Sequence, residues 1–507
     1  MSQQMKNIIP EGKSNTNKAI SGSILYLFQI VVSSLLPLIS IPIITHRIEP
    51  AEYGVFALAQ VYGIIATGMV NWGMAAGYER NFFLYENEPN KAGALLHSVT
   101  TFVTCNVIIL ISIVWVWQSN LSSIIFDRED YGLILFLLVS GTGLSSIASY
   151  YLLYLKNFGK AIDYVKIMIF QSVSNFGLIL FFLLHLNMGI ASLAYAFFLS
   201  NALMFMVVAV QQFINLPAAL SKPMLWDVLR ISLPLTPRVF FGFLGTQFDK
   251  IMLGMMALLG GVGVYSIGQK VAGVIFQFMT ALDLVFIPEV YRRLFAQEND
   301  KNPTDVGQYL TPFAYISILI AMGFVLFSEE LFALAMPDSY AAGVDIIIVL
   351  SLYYASMFFG KITGTQLIYA KKTHITTALT FVGIALNVLL NIPMIIEWGA
   401  IGAAWATMIA GISVNILSYR IAQRYASVDW DWKSLLWIFG IFVGAALMML
   451  LSRMFLAGDI YWGIFIVKLL FVIIYLYLGK VIGIVSVKNI QSLYLEGVSI
   501  LRSKNKC

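Results

Sequence analysis

Charged residues are scarce in this sequence. Of its 507 residues, 11% are Asp, Glu, Lys or Arg, whereas 59% are hydrophobic. Soluble globular proteins carry about 25% charged residues, so this composition excludes a soluble protein. No polar segment combines a basic stripe with aromatic residues, and the sequence therefore gives no support for nucleic-acid binding.

Cysteine is nearly absent. Cys105 lies within an apolar run, and Cys507 is the last residue. Two such residues form no disulfide or metal-binding framework, so neither a metal nor a cofactor is expected. The polar N-terminal segment precedes an apolar run too long for the core of a signal peptide, and no cleaved signal is expected.

Long hydrophobic runs recur along the whole chain. Because about 20 apolar residues span the ~30 Å hydrocarbon core of a bilayer, these runs predict an all-α polytopic membrane protein with about 14 transmembrane helices. The predicted spans are 20–44, 53–78, 92–117, 131–155, 162–184, 189–212, 228–256, 260–287, 309–334, 341–366, 375–396, 399–422, 434–455 and 461–484.

The distribution of Lys and Arg predicts the orientation of these spans. With 14 spans, 24 of the 31 basic residues fall on one side of the membrane. Basic residues concentrate on the cytoplasmic side, so both termini are predicted to be cytoplasmic. The opposite side has Arg47, Arg128 and Arg453, and the remaining four cations lie at least six residues from the nearest end of their predicted spans: Arg238, Lys250, Lys270 and Lys468.

The predicted external loops are short. A membrane glycosyltransferase or polysaccharide polymerase usually builds its catalytic site in a sizeable outer loop, and none here is long enough. The sequence therefore weighs against an enzyme.

An internal repeat joins two parts of the chain. The segment 54–60, GVFALAQ, returns as 263–269, GVYSIGQ, at a constant offset of 209 residues. Six predicted helices separate the copies, so both have the same orientation. Transporters with such parallel repeats bind substrate between their halves near the bilayer midplane.

The repeat and the spans together predict the domain organisation. Two six-helix lobes are followed by two extra helices. The predicted segments are an N-terminal cytoplasmic tail 1–19, an N-lobe 20–212, a linker 213–227, a C-lobe 228–424, helices 13 and 14 in 425–484, and a C-terminal cytoplasmic tail 485–507.

Three motifs resemble one transporter family. The turn at 47–56, RIEPAEYGVF, resembles the Leu-Gly-Pro-x-x-Tyr-Gly turn of polysaccharide-biosynthesis flippases (Wzx-like), with Ile48-Glu49-Pro50 in place of Leu-Gly-Pro. Asp249-Lys250 before 263–265 and Asn387, Asn391 and Pro393 before 399–404 resemble two further helix patterns of this family. These flippases belong to the multidrug, oligosaccharidyl-lipid and polysaccharide exporter superfamily.

The resemblance implies a fold, a function and partners. The fold is a V-shaped bundle of two lobes that open alternately to each side. The substrate is a polyprenyl-diphosphate-linked oligosaccharide that moves from the cytoplasmic to the outer leaflet of the cell inner membrane. The implied partners are this substrate, membrane lipids, a coupling ion (H⁺ or Na⁺), and polysaccharide polymerase or chain-length machinery; whether the product is O-antigen or capsule stays open.

Cations inside the membrane are candidates for substrate binding, because an unpaired charge there is costly. Arg238 and Lys270 each lie about ten residues into their predicted spans, which at 1.5 Å per residue is about 15 Å deep. Two cations at one depth suit a diphosphate. Arg80, at the cytoplasmic end of the second span, is a third candidate for this head group.

Other charged residues are candidates for a gate or for ion coupling. Asp249 and Lys250 are predicted near the outer mouth, Asp283 near the inner end of span eight, and Glu79 beside Arg80. Lys468 lies close to the outer end of the last span, where its long side chain is expected to reach the interface.

Two alternatives within the superfamily remain open. A cation-coupled multidrug exporter would need an acidic cavity for cationic drugs, whereas the predicted midplane charges are positive. A peptidoglycan-precursor flippase would use the same cations for its own diphosphate.

Overall fold

The structure is a computed structural model that describes residues 12–85, 88–216, 219–256, 258–299, 306–455 and 462–484. Regular structure in these residues is helical. The helices are α1 (Gly12–Thr45), α2 (Pro50–Val70), α3 (Met74–Phe82), α4 (Pro89–Phe126), α5 (Gly132–Asn157), α6 (Ala161–Leu180), α7 (Ala191–Asn215), α8 (Lys222–Ser232), α9 (Thr236–Met255), α10 (Leu259–Asn299), α11 (Val306–Ala335), α12 (Gly343–Tyr369), α13 (Thr373–Tyr425), α14 (Trp432–Phe455) and α15 (Trp462–Val481).

The helices confirm a polytopic membrane protein. In the described part of the chain, 12 helices are long and apolar enough to span a membrane, and the bent segment from Lys222 to Met255 makes a thirteenth. Helix α13 has 53 residues, which at 1.5 Å each is about 80 Å, more than twice a ~30 Å hydrocarbon core. It is divided at Gly399, whose φ of 58° and ψ of −132° are not helical. Two spans therefore meet there, as the sequence predicts.

One predicted span is not continuous. The prediction of a single helix over 53–78 is wrong, because α2 ends at Val70 and α3 begins at Met74. Trp72 and Gly73 between them have left-handed φ values of 51° and 61°. The side-chain amide of Asn106 donates a 3.0 Å hydrogen bond to the Val70 carbonyl. Side chains of neighbouring helices commonly satisfy the backbone groups that such a break leaves without helical partners.

The chain divides into two compact units. The first contains Met1–Ile267, Met336–Tyr340 and Asn391–Ala403. Within it, α5 packs against α2, α4 and α7, and α6 packs against α1 and α7. Helix α5 is thus the central element of this unit.

The second unit contains Gly268–Ala335, Ala341–Leu390 and Ala404–Cys507. Helix α11 packs against α12 and α14, and α15 packs against α11 and α14. The two helices beyond the repeat are therefore joined to this unit through α11. The predicted tail 485–507 and residues 1–11 of the N-terminal tail lie outside the described residues.

The two copies of the repeat touch each other reciprocally inside the first unit. A β-carbon on Gly54 would lie 1.9 Å from the carbonyl oxygen of Leu259, and one on Gly263 would lie 1.9 Å from that of Pro50. Residues 50 and 259, like 54 and 263, are separated by 209 positions. Reciprocal contacts of this kind are what a two-fold axis between like segments produces. Only glycine permits so close a helix crossing.

Candidate functional site

A polar cavity of about 640 Å³ lies in the first unit, bounded mainly by α2, α5, α6 and α7. Cavities of roughly 300–1,000 Å³ are typical of small-molecule sites. Its polar lining consists of Gln60, Thr67, Asn71, Thr142, Ser145, Ser146, Ser149, Lys156, Tyr164, Gln171 and Asn201. Amides and hydroxyls dominate this lining. Among the described lining residues Lys156 is the charged one, and none is acidic.

Two helical stripes build the cavity wall. On α5, the lining residues are at positions 142, 145, 146, 149, 152, 153 and 156, which is one face of a helix. On α2 and its C-cap they are at 60, 64, 67, 68 and 71, with the same periodicity. The residues of this cavity were not among the predicted site residues. A search for polar residues with a period of 3.6 inside apolar spans would have found it.

Part of the wall is held by side-chain hydrogen bonds. Asn71 donates to the Ser146 hydroxyl at 3.0 Å and accepts a short hydrogen bond from the Tyr150 hydroxyl. Thr67 donates to Thr142 at 3.2 Å. Asn71 occupies the position at which α2 ends, so the helix break fixes the backbone next to this network.

Other lining groups keep their hydrogen-bonding capacity. Within the described residues, the side-chain amides of Gln60 and Gln171 have no hydrogen-bond partner, and both are partly exposed to the cavity. Each amide offers two donor hydrogens and an acceptor oxygen. These two residues, on α2 and α6, can therefore bind a ligand with hydroxyl or amide groups.

The two predicted midplane cations lie on different helices. Arg238 belongs to the first turn of α9, but its side chain lies outside what the structure describes. Lys270 lies on α10 and is exposed. Their predicted role in binding a diphosphate stays a prediction.

Arg80 and Glu79 lie on the short helix α3, which follows the break at Trp72 and Gly73. Both side chains are exposed. The Arg80 guanidinium donates a 2.8 Å hydrogen bond to the neighbouring Asn81. The helix break therefore places this pair on a separate helix rather than on the end of α2.

Asp249 is the centre of a buried hydrogen-bond network in the first unit. It is 5% exposed. One carboxylate oxygen accepts from the Tyr265 hydroxyl at 2.6 Å, and the other accepts from the Asn391 amide at 2.8 Å. Two of the family-like motifs thus meet at one carboxylate. The adjacent Lys250 donates a 3.4 Å hydrogen bond to Gln247, one turn earlier on α9.

Asp283 pairs with a lysine of another helix. The Lys361 ammonium of α12 donates to one oxygen of Asp283 on α10 at 2.5 Å, and it lies 5.1 Å from the centre of the Phe276 ring. Asp283 is buried. This ion pair connects α10 to α12.

Lys468 does not reach an interface, and this expectation is wrong. Its side chain is 1% exposed and its ammonium bonds Glu329 at 3.0 Å and Glu330 at 2.7 Å. The Arg453 guanidinium forms ion pairs with Glu329 at 3.2 Å and with Asp345 at 2.5 Å. Burying a charge is costly unless it is paired. This charged cluster, defined as these five residues, therefore connects α15 and α14 to α11 and α12.

Tyr340 contacts the turn between α1 and α2 within the first unit. Its hydroxyl donates a 2.9 Å hydrogen bond to the carbonyl of Ile48, in the turn between α1 and α2. Burial raises the pKa of the Tyr340 hydroxyl, so it remains a donor at neutral pH. This turn carries the Ile48-Glu49-Pro50 departure from the family pattern.

An apolar groove of about 650 Å³ lies in the second unit, between α12, the second half of α13, and α14. We refer to it as the α12–α14 groove. Its lining includes Phe359, Ile416, Leu436, Phe439 and Leu447, and Arg420 lines one end. It differs in chemistry from the polar cavity.

Comparison with known proteins identifies the family. Residues 20–293, more than half of the chain, match the polysaccharide biosynthesis protein family. The chain belongs to this family. It is a multi-pass membrane protein with the fold of a transporter.

The chain is similar to one curated relative over part of its length. It is 20% identical to the probable low-salt glycan biosynthesis flippase Agl15 of Haloferax volcanii over 196 residues, which are 39% of this chain and 42% of the relative. The chain thus spans less than half the length of the curated relatives it matches.

Two solved structures have the same fold. The lipid II flippase MurJ in an inward closed conformation has a TM-score of 0.67 at 14% identity, over 91% of this chain and 98% of that one. An inward-facing multidrug resistance MATE family transporter has a TM-score of 0.64 at 14% identity, over 81% and 98%. At such low identity the likeness concerns the fold, and it confirms the predicted two-lobed helical bundle.

Proposed function

We propose that this chain is a flippase for a polyprenyl-diphosphate-linked oligosaccharide, the repeat unit of a surface polysaccharide. It moves this substrate from the cytoplasmic to the outer leaflet of the cell membrane by alternating access. The observation that carries the proposal is the polar cavity in the first unit.

The cavity suits the sugar part of such a substrate. A sugar presents many hydroxyl groups, and a site without matching donors and acceptors would leave them unpaired, at a cost of about 1–3 kcal/mol each. Gln60, Gln171 and Ser145 provide such groups without internal partners among the described residues. The apolar tail stays in the bilayer, which is its preferred surroundings.

The charge of the cavity disfavours a cationic drug as cargo. A desolvated cation needs a carboxylate or a similar partner, and the described lining residues supply Lys156 in its place. Lys156 lies near the end of α5 that is predicted to be cytoplasmic. It is suited to an anionic group of a substrate that enters from that side.

Within this proposal, Arg238, Lys270 and Arg80 bind the diphosphate. Asp249, Lys250, Glu79 and Asp283 act in gating or in coupling to H⁺ or Na⁺. Asp249 and Asp283 are the stronger candidates, because both are buried carboxylates held by neighbouring side chains.

The test uses a strain that lacks the chain and proteoliposomes that contain it. The strain should accumulate a lipid-linked repeat unit on the cytoplasmic side, and the purified protein should move a labelled lipid-linked oligosaccharide between leaflets. Replacing both Gln60 and Gln171 with Leu should slow this movement about 30-fold, since two hydrogen bonds of about 1 kcal/mol each are lost.

Gln211→Leu is the matched control, because Gln211 lies on α7 outside the lining of the cavity. It should flip the substrate at the wild-type rate. Drug hypersensitivity with normal surface polysaccharide would contradict the proposal and favour a multidrug exporter. Accumulation of a peptidoglycan precursor alone would favour the other flippase.

A further inference from the structure

The α12–α14 groove presents apolar side chains that the protein does not cover. Leu436 is 67% exposed, Ile416 51% and Leu447 50%, and all three line the groove. They belong to membrane-spanning helices. Hydrocarbon therefore surrounds them.

One end of the groove is cationic. Arg420 lines it beside Tyr419 and Trp432, and the described lining residues include no carboxylate. Arg provides a planar fork of donors for phosphate oxygens, and Trp and Tyr are typical of the level of lipid head groups. This end thus has the composition of a head-group site.

The surrounding charges favour an anion as well. Arg424 and Lys433 are exposed near Arg420, while Asp429 and Asp431 precede α14. Asp431 is engaged as an acceptor for the backbone amide of Ser434 at 3.2 Å. Arg420, Arg424 and Lys433 therefore outnumber the two carboxylates by one, and the net charge of this region is positive.

The groove is long enough for an acyl chain of one leaflet. Its lining on α14 runs from Trp432 to Leu450, which at 1.5 Å per residue is about 27 Å, and the part from Trp432 to Phe442 is about 15 Å. Half of a ~30 Å hydrocarbon core has this thickness. A chain whose phosphate is bound at Arg420 would reach Phe442, which is 1% exposed and lies at the floor of the groove.

We propose that the α12–α14 groove is a binding site for an anionic glycerophospholipid of the cytoplasmic leaflet. Its phosphate binds Arg420, and one acyl chain packs along α14. Basic pockets between transmembrane helices on the cytoplasmic side bind anionic head groups in this way. The site lies within the second unit and does not depend on the proposed sugar cavity of the first.

The test is native mass spectrometry of the full chain after equilibration with vesicles of equal parts phosphatidylglycerol and phosphatidylcholine. The wild-type protein should retain phosphatidylglycerol with an enrichment of roughly tenfold, because phosphatidylcholine offers the same phosphate but brings a quaternary ammonium close to Arg420. Arg420→Gln should abolish this enrichment. Ile416→Trp should lower the total retained lipid by filling the groove.

Two matched controls make the result specific. Arg424→Gln removes the same charge one turn further along α13, outside the groove lining, and should keep the enrichment. Ile473→Trp adds the same bulk to an exposed position on α15 and should keep the retained lipid. Equal retention of both lipids by the wild type, or an equal loss in Arg424→Gln, would overturn the proposal. So would displacement of phosphatidylglycerol by equimolar polyprenyl phosphate, because the groove would then select an isoprenoid chain.

Discussion

Asn391 donates a hydrogen bond of 2.8 Å to Asp249, although the two residues are 142 positions apart in the sequence. Tyr265 bonds the other oxygen of the same carboxylate. The carboxylate thus has two neutral donors around it. This network connects α9 to α10 and α13 within the first unit.

Replacing Asp249 with Leu should lower the free energy of unfolding by about 2–4 kcal/mol, because two buried donors lose this acceptor. Thermal unfolding of the purified protein in detergent measures the change. Asp227→Leu, at an exposed position of α8, should leave the unfolding temperature almost unchanged. Equal shifts in both variants would contradict a special role for Asp249.

Replacing Gly263 with Ala should destabilise the protein by at least about 1–3 kcal/mol, because the added methyl group forces α2 and α10 apart. Gly54→Ala should have an effect of similar size, since its contact is the reciprocal one. The control is Gly273→Ala on α10, where a β-carbon meets no atom within 4 Å. There the better helix propensity of Ala should stabilise slightly. Similar thermal shifts for residues 263 and 273 would disprove the tight crossing.

Replacing Lys468 with Met should lower stability by about 3–5 kcal/mol, because the carboxylates of Glu329 and Glu330 lose a buried counter-charge. Lys480→Met removes an exposed ammonium from the same helix and should have little effect. Adding Glu330→Gln to Lys468→Met should recover part of the loss. Thermal unfolding of the four proteins tests the pairing, and a neutral Lys468→Met would rule it out.

Replacing Arg238 or Lys270 with Ala should reduce flipping of the lipid-linked oligosaccharide at least tenfold, because a charge-assisted contact to phosphate is worth about 1.5–3 kcal/mol. The protein should still insert in the membrane. Surface polysaccharide in a complemented null strain and flipping in proteoliposomes are the readouts. Lys166→Ala, at an exposed position of α6, should behave as wild type. Full complementation by both Arg238→Ala and Lys270→Ala would exclude the diphosphate site.

Much of the fold could be predicted from hydropathy alone, since each span must satisfy its backbone internally and so forms a helix. The break between α2 and α3 could not. Trp72, a bulky residue in a left-handed conformation, gives no local signal for it, because the Asn106 side chain of another helix stabilises the break. Contacts with other helices, rather than the local sequence, determine where such a break lies.

The candidate site was less accessible to sequence reasoning than the fold. A charged residue within an apolar helix is an unusual pattern, so Asp249 and Asp283 were predicted as site residues. The neutral amides Gln60 and Gln171 were not. Lys468 was misjudged because its partners are 138 and 139 positions away. The distance of Lys468 from the end of its span predicts where the ammonium would lie on an isolated helix. In the folded protein, pairing with Glu329 and Glu330 determines where the ammonium lies.

The charged cluster around Lys468 also has a consequence for biogenesis. At about 5–20 residues per second, a ribosome needs roughly 7–28 s to synthesise the stretch between Glu330 and Lys468, which are 138 residues apart. During this interval, the carboxylates of α11 have entered the insertion machinery before their lysine exists. Nascent chains that stall before α15 should therefore carry acidic groups that insertion chaperones and quality-control proteases can recognise.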